Sequence, residues 1–209
     1  MIGASGCYTL GMSTGAAARS RMTLAEFFDW DPGGDQRYEL IEGVPYAMTY
    51  PKRSHGIIAA NLVRRIAEAL DARPPCHVVS EAGILSPTRN DTYYQADLAV
   101  TCQPHQADRP ETPEPLLIVE VLSPSTENHD RKLKLADYRK IPSVREILFV
   151  DQERPYCELH RRLGDDRWLV DLILDLEARI ELESLGAELP VAWIYANVIF
   201  AEPDQSTPL

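Results

Sequence analysis

The sequence predicts an α/β protein with a mixed central sheet flanked by helices. Short apolar runs rich in β-branched residues, such as 116–122 and 145–151, have the length and composition of buried strands. Between these two runs lies a segment with helical spacing, so strand, helix and strand follow in the order of a crossover connection. The chain has 209 residues, which is enough for one substantial core.

Turn residues and periodicity place the remaining elements. Thr23 can cap a helix, and Glu42 with Gly43 forms a turn pair typical of a β-hairpin. Glu158 and His160 alternate with apolar residues on a later strand and are expected to face solvent. Residues 22–200 are expected to form one domain. The expected elements are, in order, an irregular arm (1–21), a short helix (24–30), a hairpin (37–49), a long helix opened by Ser54 (55–73), strands (76–85, 93–102 and 116–122), a helix capped by Ser125 or Thr126 (126–140), a strand meander (145–151, 156–162 and 167–174), a further strand (178–185), a final helix (188–200) and a disordered tail (201–209).

Charge and cysteine usage limit the function classes. The net charge of −11 argues against tight non-specific DNA binding, because such binding needs a basic surface, although a local basic patch or a metal-mediated contact stays compatible with it. No apolar run reaches the length of a membrane span, and the N-terminus lacks the pattern of a secretory signal. The chain has four widely spaced cysteines, Cys7, Cys76, Cys102 and Cys157, so neither a zinc site nor a disulfide framework is expected. A cytoplasmic location is therefore expected.

Two predicted strands each carry one isolated acid, Asp97 and Glu120. A buried carboxylate is costly unless its pKa shifts or a cation compensates it. Two such acids suggest a shared divalent cation, since Mg²⁺ takes one or two carboxylates and keeps several waters. The next helix carries Asp130, Lys134 and Tyr138 at four-residue spacing, which places them on one face. The alternative is a structural network in which nearby Arg or Lys side chains neutralise both acids.

These residues, together with RYELIEG at 37–43, His55 at the start of a helix and a strand ending in VD at Asp151, resemble the Uma-two family of putative restriction endonucleases. That family belongs to the PD-(D/E)xK nuclease superfamily. The resemblance extends from about residue 22 to about residue 195. It implies a restriction-endonuclease-like fold and an endonuclease that hydrolyses DNA phosphodiester bonds with Mg²⁺ or Mn²⁺.

The resemblance also implies a role for each site residue. Asp97 and Glu120 would bind the metal, and Lys134 would position the attacking water or stabilise the transition state. Two positions depart from the superfamily pattern. Ala96 replaces the proline before the first acid, and Leu122 stands where the lysine usually follows the glutamate. Members of the family are similar in taking the lysine from the following helix, and this resemblance makes Lys134 the candidate, with Lys132 as a rival that points elsewhere on the helix.

Five further residues can support this site. Glu39 or Glu42 can bring another carboxylate to the metal, and His55 can contact the substrate or the metal shell. Asp130 can hold Lys134 in place, and the Tyr138 hydroxyl can reach the site. For Glu39, Glu42 and His55 the alternative is a solvated surface position.

Two more expectations concern assembly and function. A homodimer is expected from the resemblance and from aromatic residues near the C-terminus. The alternative function is a non-catalytic nucleic-acid-binding or regulatory module on a nuclease fold. The acidic charge and the absence of a recognisable DNA-reading domain favour that alternative.

Overall fold

A computed structural model describes residues 21–200, except residues 106, 108, 125, 126, 128 and 129. The helices are α1 (Leu24–Phe28), α2 (Arg53–Leu70), a π-helical turn (Asp130–Lys134) that continues as α3 (Leu135–Tyr138), and α4 (Val191–Ile194). The strands are β1 (Tyr38–Ile41), β2 (Val44–Ala47), β3 (His77–Leu85), β4 (Tyr93–Thr101), β5 (Leu117–Leu122), β6 (Glu146–Asp151), β7 (Cys157–Arg162), β8 (Trp168–Ile173), β9 (Arg179–Leu182) and β10 (Ala187–Pro190). We call residues 130–138 the lysine helix.

One eight-stranded sheet organises the protein, in the order β2-β1-β4-β5-β6-β7-β8, with β3 also paired to β4. Strands β5 and β6 run parallel, whereas the other pairs in this sheet are antiparallel. The chain between β5 and β6 contains the lysine helix, as a parallel crossover requires. The predicted α/β fold with a mixed central sheet is thereby confirmed.

Each face of the sheet has its own apolar core. The long helix α2 packs one side through residues spaced at helical intervals, and Tyr138 of the lysine helix packs against the other. Burying one such Leu or Ile side chain contributes about 1.5–3 kcal/mol. The α2 residues in the first core are Ile58, Leu62, Ile66 and Leu70. Within the described ranges, no helix is both long and apolar enough to cross a bilayer.

Local sequence explains the first two elements as expected. The Thr23 side chain accepts from the Glu26 backbone N–H, and the Glu26 carboxylate returns a bond to Thr23, which completes a capping box. The hairpin turns at Glu42 and Gly43, whose φ values are 49° and 77°. Two successive positive φ values match the two-residue hairpin turn that twists with its strands.

Strands β1 and β5 share one edge of β4, because β3 occupies the other edge along its length. Strand β1 joins at Tyr93, whereas β5 joins at 98–100. The intervening residues 94–97 have no strand partner on that edge within the described chain. We call this gap the fork. It interrupts the hydrogen-bond ladder in the middle of the sheet, so its backbone amides need other acceptors.

The prediction that Glu158 and His160 face solvent is wrong, because both are buried. The lysine helix covers this part of the sheet, and its Arg131 makes an ion pair with Glu158. On the other side, Arg139 donates to His160 Nδ1 at 2.7 Å, which leaves the proton on Nε2 to bond Glu158 Oε1 at 2.5 Å. The alternation of strand residues was correct, but a helix lies over the polar face.

Replacing Glu158 with glutamine is expected to weaken the acid dependence of stability. The hydrogen bond from His160, and then that from Arg131, lowers the pKa of Glu158 to about 2 against the opposing effect of burial. The unfolded value is about 4.3. A lowered folded pKa adds stability that is present above the unfolded pKa and is lost as the pH falls through the folded one. Urea unfolding measures the difference in the free energy of unfolding between the wild type and Glu158→Gln, and this difference should shrink as the pH falls from about 5 to about 2. A difference that stays constant over this range would contradict the prediction.

The C-terminal region differs from the long helix predicted over 188–200. Residues 187–190 form β10, which pairs with β9, and only Val191–Ile194 is helical. Pro190 lacks a backbone N–H and stands immediately before the helix. Asn197 has a φ of 65°, a left-handed conformation typical of residues that follow a helix. One helical turn therefore remains between a strand and a turn.

Cys76 and Cys102 form a disulfide, which corrects the expectation of unpaired cysteines. Strands β3 and β4 are antiparallel, with His77 opposite Thr101. The next pair outward is Cys76 and Cys102, so the register places the two residues opposite each other. A separation of 26 residues in sequence does not reveal this register.

Some predictions fall on residues outside the described set. They are the helix cap at Ser125 or Thr126, the arm over 1–21 apart from Arg21, and the tail over 201–209.

Candidate active site

The ammonium group of Lys134 lies at the centre of the candidate site. Its Nζ atom is 2.9 Å from Glu39 Oε1, 3.2 Å from Asp130 Oδ1 and 3.3 Å from Glu120 Oε1. It also donates to the Gln95 carbonyl at 3.2 Å. These partners come from β1, the lysine helix, β5 and β4. One cation therefore connects four elements at the fork.

In this cluster, three carboxylates contact the single ammonium group of Lys134. Burial alone lowers the pKa of Lys134, but the carboxylates of Glu120, Glu39 and Asp130 outweigh it and raise that pKa well above its ordinary value. All three acids contact the same ammonium. Carboxylates buried close together raise one another's pKa, and a cation or a proton stabilises them.

Glu120 is a deeply buried acid of the candidate site, and its pKa is strongly shifted. Its Oε1 atom accepts from the Tyr138 hydroxyl at 2.7 Å as well as from Lys134, and its Oε2 atom accepts from the Asp97 backbone N–H at 3.4 Å. Burial raises the pKa of Glu120 well above its usual range, and Asp130 and Asp97 add to this effect against the attraction of Lys134. The ionised form of Glu120 is therefore costly, and a bound proton or cation stabilises this side chain.

Asp97 marks the side of the site that solvent can reach. Its side chain is 24% exposed, compared with 3% for Glu120. The Oδ2 atom accepts from the Val121 backbone N–H at 2.6 Å, and Oδ1 is 3.1 Å from His55 Nε2. His55 lies in the first turn of α2, so that helix end faces Asp97. Of the two acids, Asp97 is therefore the one in contact with solvent.

Carboxylates replace the missing strand partner at the fork. Glu39 Oε1 accepts from the Gln95 backbone N–H at 2.9 Å, and Asp97 and Glu120 each accept a backbone N–H from the other's strand. The acids therefore satisfy amides that the interrupted ladder leaves without a strand partner.

The structure brings most of the predicted site residues together. The connected set is Asp97, Glu120, Lys134, Glu39, His55, Asp130 and Tyr138. Glu42 lies apart at the hairpin turn, where it is exposed and 3.2 Å from Arg89. The rival Lys132 is exposed. The Gln95 carbonyl was not predicted, because a backbone acceptor leaves no signal in residue type.

The donor atoms at the fork fit a hydrated divalent cation. In the part of the chain that the structure describes, no three His, Cys, Asp or Glu side chains are arranged to hold a metal together. Asp97 and Glu120 offer two carboxylates, and Mg²⁺ is commonly bound by one or two carboxylates with waters completing its shell. The carboxylate oxygens are of the chemical type that such an ion prefers.

The fold and the cluster define an α/β protein of the restriction-endonuclease-like type, with acids and a lysine gathered in a mixed sheet. A crystal structure described as a putative nuclease belonging to DUF820, from Anabaena variabilis, has the same fold. It matches 85% of this chain and 99% of its own chain, with a TM-score of 0.65 and 16% sequence identity.

The chain belongs to the Uma2 family, whose model carries the description "Putative restriction endonuclease" and matches residues 24–192. The uncharacterized protein slr1290 of Synechocystis is 30% identical over 183 residues, which are 86% of this chain and 94% of the relative. A second Synechocystis protein, the uncharacterized sll1609, is 26% identical over 162 residues, which are 77% and 92% of the two chains. The resemblance stated from the sequence is thereby confirmed.

Proposed function

We propose that this protein is a metal-dependent endonuclease that hydrolyses phosphodiester bonds of DNA, with Mg²⁺ or Mn²⁺ as its metal. One observation carries this proposal. Asp97, Glu120 and Lys134 are separated in sequence and lie on three different elements, yet the Glu120 carboxylate accepts both from the Lys134 ammonium and from the Asp97 backbone N–H, while the Asp97 carboxylate accepts from the next residue after Glu120. Two acids and one lysine are the chemical groups that metal-assisted phosphodiester hydrolysis needs.

The chain's own residues would divide the work as follows. Asp97 and Glu120 would hold the metal, which when bound polarises the phosphate and lowers the pKa of a water molecule. The Lys134 ammonium would stabilise the negative charge that develops on the phosphate, while Asp130 and Glu39 keep it in position. Tyr138 fixes the orientation of Glu120, and His55 fixes that of Asp97.

A plasmid-nicking assay tests this function. Wild-type protein is incubated with supercoiled DNA in Mg²⁺, Mn²⁺, Ca²⁺ or EDTA. We expect cleavage with Mg²⁺ or Mn²⁺ and none with EDTA. Glu120→Gln should lower the rate at least about 100-fold, because it removes charge from a metal ligand. Glu42→Gln is the matched control, because this substitution removes the same charge from a residue outside the cluster.

Two outcomes would count against the proposal. One is wild-type protein that cleaves no DNA with any of these metals. The other is a Glu120→Gln variant as active as Glu42→Gln.

A non-catalytic nucleic-acid-binding or regulatory module is the second candidate. One observation favours it, namely that Lys134 already has four acceptors around its ammonium. A lysine held in this way stabilises the sheet without any catalysis. This candidate predicts DNA binding in Ca²⁺ with no cleavage in Mg²⁺ or Mn²⁺, which the same assay and a binding titration distinguish.

A further inference from the structure

Strand β8 forms one end of the eight-stranded sheet and exposes apolar side chains. No strand of the described chain pairs with its outer edge. Leu169, Val170 and Leu172 are exposed on β8, and Leu174 and Leu176 are exposed just after it. An exposed apolar edge strand is a template for pairing with another chain.

At alternate residues of β8, the backbone hydrogen-bonding groups have no strand partner within the described part of the chain. The Leu163 N–H donates to the Arg167 carbonyl, which directs Arg167 toward the chain of β7. Backbone direction alternates along an antiparallel ladder, so the next residues that point outward are Trp168, Val170 and Leu172. Their side chains also share one face of the sheet. The outer edge therefore presents backbone donors and acceptors beside an apolar row.

We propose that β8 pairs antiparallel with β8 of a second copy of this chain, around a two-fold axis through Val170. A two-fold axis normal to the sheet keeps each side chain on its own face. Residues that lie opposite each other in an antiparallel pair share a face, so the axis must lie between one residue and its own copy. Val170 and Asp171 are the central residues of β8. An axis at Asp171 would place two carboxylates directly opposite each other, which is destabilising.

The axis at Val170 gives complementary contacts on the exposed row. Val170 lies opposite its own copy, and Trp168 lies opposite Leu172 of the partner subunit. Arg167 then lies diagonal to Asp171 of the partner subunit, within the reach of a long side chain. Symmetry repeats this arrangement. It brings a cation to an acid at each end of the interface, which offsets part of the repulsion between chains of net charge −11.

Cysteine cross-linking tests the register. Val170→Cys, in a Cys7→Ser background, places two thiols on residues whose Cα atoms are about 5.5 Å apart, within the range of a disulfide. Leu172→Cys is the matched control. It is more exposed, at 59% against 42%, but its copy lies about 13 Å away along the strand. Among the other native cysteines, Cys157 is buried and Cys76 is bonded to Cys102.

We expect Val170→Cys to form covalent dimers at least about 10-fold faster than Leu172→Cys under mild oxidation, because only its thiols meet the disulfide distance. Equal rates for the two variants would overturn the proposal.

Light scattering across protein concentrations tests the association itself. Wild-type protein should reach the mass of a dimer, and Val170→Lys should raise the dissociation constant at least about 10-fold, because it places two charges at the axis. Ile199→Lys, at a residue that is 92% exposed and outside β8, should leave association unchanged. Wild-type protein that stays monomeric, or a Val170→Lys variant that associates like Ile199→Lys, would overturn the proposal. Neither experiment depends on nuclease activity.

Discussion

Replacing Lys134 with methionine is expected to destabilise the protein by about 3–5 kcal/mol, because it removes the buried ammonium that three buried carboxylates contact. Methionine has a similar length and adds no charge, so packing changes little. A loss of this size is a large part of a typical domain stability of about 5–15 kcal/mol. Urea unfolding at neutral pH in EDTA measures it.

Lys132→Met is the matched control. It removes the same charge from an exposed residue two positions away, and the expected change is within about 0.5 kcal/mol. If the acids bind Mg²⁺, the added cation should restore part of the stability lost in Lys134→Met, because a ligand that binds only the folded state stabilises it. A Lys134→Met variant as stable as Lys132→Met would show that the ammonium contributes no net stability.

Replacing Asp97 with asparagine is expected to lower metal-dependent cleavage at least about 100-fold while the protein stays folded. The amide oxygen can still accept from the Val121 N–H, so the backbone contact of the aspartate survives. What disappears is the charge that would attract the metal. Initial rates of plasmid nicking measure the loss of cleavage. A Mg²⁺ titration, with the thermal unfolding midpoint as its readout, measures the loss of metal binding.

Asp97→Ala and His55→Gln complete this series. The alanine variant also leaves the Val121 N–H without its acceptor, which costs about 1–3 kcal/mol of stability and separates the structural from the electrostatic role. The His55→Gln variant keeps the acid and alters only its neighbour, so it should retain metal binding. An Asp97→Asn variant that cleaves DNA at the wild-type rate would remove Asp97 from the metal site.

Local patterns were sufficient to predict much of the fold and of the cluster. The strand, helix and strand around Glu120 follow from apolar periodicity. Four-residue spacing predicts a shared face for Asp130, Lys134 and Tyr138, and in the structure Asp130 pairs with Lys134 while Tyr138 donates to Glu120. These predictions succeeded because helix and strand periods are set by backbone geometry within a few residues.

What the sequence left open depends on contacts between distant segments. Glu39 and Glu42 are close in the sequence, yet only Glu39 lies on a strand next to β4. The burial of Glu158 depends on which helix crosses the sheet above it. Likewise, the pairing of Cys76 with Cys102 depends on the register of two strands. None of these can be derived from neighbouring residues alone.

The fork has a consequence for the entropy of ligand binding. Ordering a glutamate side chain costs up to about 1.5–2 kcal/mol, and at an ordinary surface site a bound cation would have to supply that free energy. Here Asp97 and Glu120 already have one oxygen atom each fixed by the backbone of the neighbouring strand. Folding has therefore restricted their rotamers before any ion arrives. The same two bonds make each acid a part of the sheet, so under the proposed function the affinity for the metal and the integrity of the fold depend on the same atoms.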